Sequence, residues 1–495
     1  MKFLPRLAIL ILPVITQAFA VSTSEARRSI DTEIARTLDK SMPRFACNLS
    51  PTKWKKWVPR TVNGNTEWVE IEAAKGSIIA APHLDNPDYF FHWNRDSALV
   101  TGSLVRYLNF VDGSPQAERI HGFMLDFIRF SDQLQKTEGP HGLGEVRFNV
   151  DGSLDFATWS RPQHDGPALR ALTLMHYLRS FGERLAETEK LRIKSVIKRD
   201  LDFIAIHYAE RNFDLWEYSI GHHFYTRVVQ LGALEEAQRM IPTLSIPQWN
   251  VAIENLKVAL GEHWNEEKEY YTFSVGPVFD QPGNPVNQPG DGLDSSVVFA
   301  SNHSQRESVD FTFRDDRLLL SAFKLEKYFR EKFPFNQNPS GQLGPAMGRH
   351  DGDNYYGGNA FYFLTAGYAE HYFRVARWFK ANPQESLIIT RYNRELYEEL
   401  LGERLTEGED AFIKPAARVK LISRLKEKGE AFMRTIMRSL PTDGMMAEQF
   451  NKVDGTPASA TDLTWSYSSF LSAVLAREEL ERSSLDLLGF DFTCR

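Results

Sequence analysis

The chain has 495 residues, 42% of them hydrophobic and 12% aromatic, which is enough for a large core and leaves room for one to three domains. Its formal net charge is -7, from 58 basic and 65 acidic side chains that are well mixed. No Lys/Arg block or basic stripe is present, which argues against a nucleic-acid partner.

The first twenty residues read as a secretory signal. Lys2 and Arg6 precede a short apolar run, residues 7–15, and Ala18-Phe19-Ala20 gives a small-x-small cleavage site, so the mature chain is expected to begin near Val21. The run is too short for a membrane span, and no later stretch is longer and equally apolar. The expectation is therefore a soluble exported protein, extracellular or periplasmic.

Residues 22–41 read as a helix, with Ile30, Ile34 and Leu38 at four-residue spacing. Residues 51–93 contain strand-like fragments and much punctuation. Helical patterns then follow over residues 96–111, 114–136, 167–181, 187–210, 222–240, 251–263, 317–333, 359–380, 391–401, 418–440 and 462–482. Ser114-Pro115 is a start signal for the second of these. About a dozen helices with little strand signal predict an all-α fold, and no short internal repeat suggests a solenoid. Long connections at residues 139–166, 273–292 and 334–358 interrupt the helices, and loops of that length in a compact domain are usually functional. Aromatic, charged and glycine residues concentrate there, a composition suited to a sugar.

The two cysteines, Cys47 and Cys494, lie near opposite ends of the mature chain. In an exported protein one disulfide is a natural reading, and two free thiols remain the other. Asn48-Leu49-Ser50 and Asn302-His303-Ser304 are glycosylation sequons, relevant only in a eukaryotic host. No metal site is expected: there is no His-Glu-x-x-His pair, adjacent His222 and His223 would face different sides of a helix, and Asp351-Gly352-Asp353 lacks the remaining calcium-loop ligands. No nucleotide fingerprint is present, and no cofactor is expected.

Glu217, directly after Trp216, is the carboxylate of greatest interest, because a carboxyl held against an indole loses solvation and becomes a better proton donor near neutral pH. It lies in Asp214-Leu215-Trp216-Glu217, one of several motifs in a fixed order. The others are residues 88–96 (DYFFHWNRD), residues 142–150 with Gly142-Leu143-Gly144-Glu145 and Phe148-Asn149-Val150, residues 159–170 (WSRPQHDGPALR), Gly348-Arg349 with Asn354-Tyr355-Tyr356-Gly357-Gly358-Asn359, Ala447-Glu448-Gln449-Phe450, and Asp462-Leu463-Thr464-Trp465-Ser466-Tyr467. Together these motifs resemble the glucoamylases of glycoside hydrolase family 15, over about residues 76–468.

The resemblance implies an (α/α)6 barrel with its active site in a funnel at one end. It implies an inverting exo-hydrolase releasing β-D-glucose from the non-reducing ends of α-1,4-glucans, and more slowly at α-1,6 branches. By motif match Glu217 is the general acid and Glu448 the general base. Arg95 and Asp96 match the pair that holds the terminal glucose. Tyr89, Trp93 and Trp159 match pocket aromatics and Arg161 a pocket hydrogen-bond donor, while Leu215, Trp216 and Tyr218 flank the acid as substrate contacts. Trp465 is expected to pack near Glu448 without contacting sugar, and Ser160, where glycine is usual, to matter little.

Two departures fall on the leaving-group side. Tyr218 stands where a second glutamate is common, and residues 294–303 contain no arginine. Catalysis on the first glucose should be kept and chain-length preference should differ. The expected organisation is a signal peptide over residues 1–20 and one catalytic domain over residues 21–495, without a starch-binding domain, so weak adsorption to granular starch is expected. The expected partner is an α-glucan, with no membrane and no nucleic acid, and the protein is expected to be a monomer. A related inverting enzyme acting on other glucans or on trehalose, or a non-catalytic maltooligosaccharide-binding protein on the same barrel, is the alternative.

Overall fold

The computed structural model describes residues 30–49, 54–62, 65–240, 246–306, 308–337, 342–481 and 489–494. The signal sequence at residues 1–20 and the beginning of the helix expected at residues 22–41 lie outside them. Thirteen α-helices occur among the described residues: α1 (30–47), α2 (Asn94–Val111), α3 (Pro115–Leu134), α4 (Asp165–Phe181), α5 (Glu187–His207), α6 (Phe224–Met240), α7 (Pro247–Gly261), α8 (Ser296–Ser304), α9 (Asp316–Lys332), α10 (Tyr362–Ala381), α11 (Arg394–Leu401), α12 (Pro415–Ser439) and α13 (Thr464–Glu481).

Six of these close a ring: α2 packs on α4, α4 on α6, α6 on α8, α8 on α10, α10 on α13, and α13 back on α2. A second layer surrounds them. Helix α3 packs on α2, α5 on α4, α7 on α6, α9 on α8 and α12 on α10. Helix α1 is fixed to α13 by the Arg477 guanidinium, which donates to Asp31 at 2.7 Å. The architecture is an (α/α)6 barrel. Burial separates the two layers: 15 of the 18 residues of inner α13 are buried, against 10 of the 25 in outer α12. An outer helix needs one apolar stripe, whereas an inner helix is enclosed on every side. Helix α3 starts where its sequence predicts, with the Ser114 hydroxyl accepting from the Ala117 amide at 3.1 Å and Pro115 in the first turn.

Two expectations on the helices need correcting. Helix α8 had no predicted counterpart, because eight of its nine residues are buried and such a segment shows no amphipathic period. His222 and His223 belong to a strand, not to the helix expected over residues 222–240, and α6 begins only at Phe224.

The short strands sit at the barrel end that carries the long connections. β1 (Lys55–Val62) and β2 (Asn65–Glu72) form an antiparallel hairpin with Val58 opposite Val69. β3 (His92–Trp93) pairs with β4 (Arg147–Phe148). β5 (Asn212–Phe213) and β6 (Ile220–His223) are joined to β9 (Ser274–Phe279) and β10 (Pro285–Val286) in one sheet. β7 (Trp264–Asn265) pairs with β8 (Tyr270–Tyr271), and β11 (Ala360–Phe361), β12 (Gln449–Phe450) and β13 (Pro457–Ala458) form a three-stranded sheet.

Cys47, the last residue of α1, is disulfide-bonded to Cys494. The returning segment packs by aromatic contacts, with Phe490 stacked on Tyr107 at 4.9 Å and Phe492 edge-on to Phe45 at 5.4 Å. Neither sequon asparagine is presented at the surface. Asn48 is buried and donates to the Asp462 carbonyl at 2.8 Å, and Asn302 is buried and donates to the Gly367 carbonyl at 2.9 Å. Among the described residues no helix is long and apolar enough to cross a membrane.

Candidate active site

The connections leading into α2, α6, α10 and α13 surround a cavity of about 400 Å3 at the end of the barrel where the inner helices begin. Tyr89, Trp93, Arg95, Asp96, Trp159, Leu215, Trp216, Glu217, Tyr218 and Glu448, all singled out in the sequence, line it.

Glu217 is placed by a hairpin loop. β5 and β6 pair across residues 214–219, and the buried Asp214 carboxylate closes the loop by accepting the amides of Trp216 (2.6 Å), Tyr218 (3.1 Å) and Ser219 (2.6 Å). Burial pushes the Asp214 carboxyl above its ordinary range, and these amide donors oppose that. The loop holds Glu217 at φ 64°, in the left-handed region that few non-glycine residues enter. Such strain persists only where the surroundings impose it, and it clusters at working sites.

The Glu217 side chain meets four donors. Oε1 accepts from Trp93 Nε1 (2.8 Å), Gln163 Nε2 (3.0 Å) and Arg95 (3.3 Å), and Oε2 accepts from Trp159 Nε1 (2.6 Å). The Ser160 hydroxyl donates to the Glu217 carbonyl at 2.8 Å, so this residue braces the loop and is not incidental. The Arg147 guanidinium lies over the Trp159 ring at 3.7 Å and over Trp93 at 4.8 Å, fixing both indoles. The expected contact between Glu217 and the neighbouring Trp216 indole is not what the loop builds. Trp216 turns away, donates to both oxygens of buried Asp294 at 3.0 Å, and stacks toward Phe363 and Trp465. The turn at residues 214–217 and the positive φ of Glu217 send the two side chains apart, so sequence adjacency did not give contact.

Glu448 precedes β12. Its amide donates to the Ala460 carbonyl at 2.8 Å, which anchors its backbone. Its Oε2 accepts from the Ser459 hydroxyl and its Oε1 from Tyr89 at 3.3 Å, while Tyr89 also bonds Tyr355. Burial pushes the Glu448 carboxyl up to about 7, against the Ser459 hydrogen bond and the nearby Arg349 charge, which pull it down.

Arg95 and Asp96 open α2. The Arg95 guanidinium donates to Gln163 (2.7 Å) and Asp165 (3.1 Å). Its Nε and Asp96 Oδ1, 3.5 Å apart, are buried with no hydrogen-bond partner in the protein. Burial, opposed by Arg95 and reinforced by the Glu217 charge, pushes the Asp96 carboxyl up to about 7. The two atoms face each other as a buried ion pair, and both residues border the cavity.

Arg161 is a correction. It does not line the cavity: its guanidinium is committed to Glu145, to the Ala157 carbonyl (2.9 Å), and to the Asp155 carbonyl (3.0 Å) and carboxylate (3.1 Å). It stiffens the Trp159 loop from behind. Trp465, expected to be packing only, does border the cavity, stacked at 4.4 Å and 7° on Phe363. Sequence reasoning did not select Gln163, Arg349, Tyr355 or Ser459 as site residues. Arg349 and Tyr355 lay in quoted motifs, and Gln163 lay inside one, but nothing near Ser459 marked it. Asp353 of the Asp351-Gly352-Asp353 stretch accepts two bonds from Arg349, at 2.7 and 2.6 Å, and is engaged by the protein. Tyr218 stands at the mouth, 51% exposed, with its ring 6.4 Å from that of His350.

The model of glycosyl hydrolases family 15 matches residues 63–475. The chain is 31% identical over 423 residues to glucoamylase-1 of Schizophyllum commune, covering 82% of this chain and 69% of that one. It is 30% identical over 429 residues to a probable glucoamylase of Schizosaccharomyces pombe, covering 82% and 86%. The structure of a family 15 glucoamylase from Hypocrea jecorina superposes with a TM-score of 0.78 at 25% identity, covering 94% of this chain and 76% of that one.

Proposed function

The chain belongs to family 15 of the glycosyl hydrolases and is a glycoside hydrolase, and from that premise we propose that it is an inverting, exo-acting glucoamylase. Its substrate is the non-reducing end of an α-1,4-glucan such as starch, glycogen or a maltooligosaccharide, with slower action at α-1,6 branches. It works after export and signal-peptide removal near Ala20, as one catalytic domain and as a monomer.

The observation that carries this reading is that Glu217 and Glu448 line one cavity together with Arg95 and Asp96. In the proposed complex the terminal glucose hydroxyls bond Arg95 and Asp96, which fixes how deeply the chain can enter. Glu217 acts as the acid. Three donors occupy its Oε1 but only Trp159 occupies Oε2, so Oε2 is the oxygen with room to carry a proton to the leaving glycosidic oxygen. Glu448 acts as the base, oriented by Ser459 and Tyr89, and removes a proton from the attacking water. An inverting pair must leave space for that water between the base and the sugar. Aromatic walls from Tyr89, Trp93 and Trp159 pack on the pyranose, and Leu215 and Trp216 shape the floor. Tyr218, beside His350, meets the leaving sugar without a carboxylate and should alter chain-length preference.

Proton NMR of the first turnovers on maltotriose tests the proposal. Early β-glucose with maltose as the co-product is the expected result. Early α-glucose would overturn inversion, and products from a longer maltooligosaccharide that retain its non-reducing end would overturn exo-action.

A further inference from the structure

The β1–β2 hairpin has one face that the rest of the fold uses and one that it does not. Antiparallel register puts Lys56, Val58, Arg60, Val69 and Ile71 on the inner face. There Val58 and Ile71 join Ile79, Phe90 and Val150 in a small core. The Lys56 ammonium bonds Asp88 at 2.6 Å and lies 3.5 Å from the Phe91 ring centre, and Arg60 pairs with Asp151. The hairpin is thus fastened to residues 88–91, and Tyr89 of that stretch is a wall of the active-site cavity.

The outer face carries Trp57 and Trp68, which are 59% and 66% exposed. Trp57 lies opposite Glu70 and Trp68 opposite Pro59, so the two indoles are diagonal neighbours on one face. Single exposed apolar residues are ordinary, but two tryptophans left side by side on a fastened hairpin leave a large aromatic area in water. Their surroundings are polar: Lys55 bridges Glu70 and Glu72, each at 2.9 Å. A rigid aromatic surface edged by carboxylates and an ammonium matches pyranose chemistry, with ring faces for the C–H side of the sugar and charged groups for its hydroxyls. With two acids to one base it does not match an anionic lipid surface, which selects basic residues.

We propose that this outer face is a second carbohydrate site, outside the cavity, where Trp57 and Trp68 hold a further stretch of an α-glucan chain. The inference rests on the glucan reading of the active site. The site would keep a polymer at the enzyme between turnovers and contribute nothing to a disaccharide, which is too short to engage both places at once.

The test compares the wild type with the Trp57→Ala/Trp68→Ala double variant. On maltose kcat/KM should be unchanged, while KM for glycogen should rise by about tenfold, the loss of one or two aromatic contacts. In the Glu217→Gln background the wild-type surface should be retarded by glycogen in a native gel, and the double variant should not be. A Trp57→Tyr/Trp68→Tyr variant should keep most of the retardation, which separates loss of the aromatic faces from damage to the hairpin. Equal glycogen retardation and equal KM in wild type and Ala variant would overturn the site. So would sedimentation with phosphatidylcholine vesicles, or a change in oligomeric state, that depends on the two tryptophans while glycogen binding does not. If the wild type releases no glucose from maltose, the active-site proposal fails, and the gel result still decides the surface site on its own.

Discussion

At the scale of single residues, the two carboxylates of the cavity are in contrasting surroundings. Glu217 is ringed by donors, and Glu448 has two hydroxyls and deep burial that raises its carboxyl to about 7. A base works only when ionised, so kcat/KM should fall as pH drops through the Glu448 pKa, on a limb lying above the ordinary glutamate range. The Ser459 hydrogen bond favours the ionised form, so Ser459→Ala should raise that pKa further. We predict that the acid limb of the kcat/KM profile on maltose moves to higher pH in Ser459→Ala, and a limb that stays put or moves to lower pH would refute it. The same burial costs stability. A carboxyl whose folded pKa exceeds its unfolded one stabilises the fold fully below about 4.5, and that contribution is lost as pH rises through about 7. Glu448→Gln removes the buried charge. It should abolish most turnover, a loss of ~10²–10⁴ in kcat. It should also raise Tm above wild type at pH 8, by a free energy of up to ~3 kcal/mol, with the gap closing near pH 4. Calorimetry at the two pH values checks this.

At the scale of an element, the six-residue connection between β5 and β6 is built to hold one side chain in a conformation it resists. The Asp214 carboxylate is the main internal brace, through three backbone amides and the Ser219 hydroxyl. Asp214→Ala removes all four contacts of that carboxylate and weakens the hold on Glu217 at positive φ. Because Asp214 faces away from the cavity lining, the loss should appear as misplacement of the acid. We predict a fall in kcat on maltose of ~10²-fold, the usual scale for a displacement of about 1 Å at a reacting group. KM should change far less, since Arg95 and Asp96 are on another element. Steady-state kinetics on maltose separate the two parameters, and a variant that loses only KM would remove Asp214 from this role. Asp214 lies in the motif quoted from the sequence, yet its work is visible only in the hydrogen bonds.

At the scale of the whole molecule, the barrel has a polarity. Inner helices α2, α10 and α13 all start beside the cavity, so the positive ends of their dipoles face a site rich in carboxylates. Farther along the inner helices, arginines are tied up in buried ion pairs: Arg106 and Arg374 share Glu370, and Arg477 pairs with Glu430. The Cys47–Cys494 bond joins α1 to the end of the chain, across a separation of 447 residues. Closing so long a loop restricts the unfolded chain, by about 2–5 kcal/mol in typical cases. Cys47→Ser should therefore lower Tm measurably. It should leave kcat on maltose unchanged, because neither cysteine borders the cavity. Differential scanning calorimetry beside an activity assay tests both halves.

The sequence by itself determined the helical class, eleven of the thirteen helices among the described residues to within a few residues, and ten of the residues that line the cavity. Outer helices were legible because their apolar stripes recur with the helical period, as in α12, where Leu421, Leu425, Phe432 and Ile436 are buried. The site was legible because its residues come in ordered motifs. Only the tertiary structure decided the rest. Helix α8 is enclosed and so shows no stripe, and the two-residue strands are fixed by pairing with partners far along the chain. Which indoles meet Glu217, where Arg161 spends its donors, and that Ser459 orients Glu448 follow from loops packed against one another, and no local spacing encodes that.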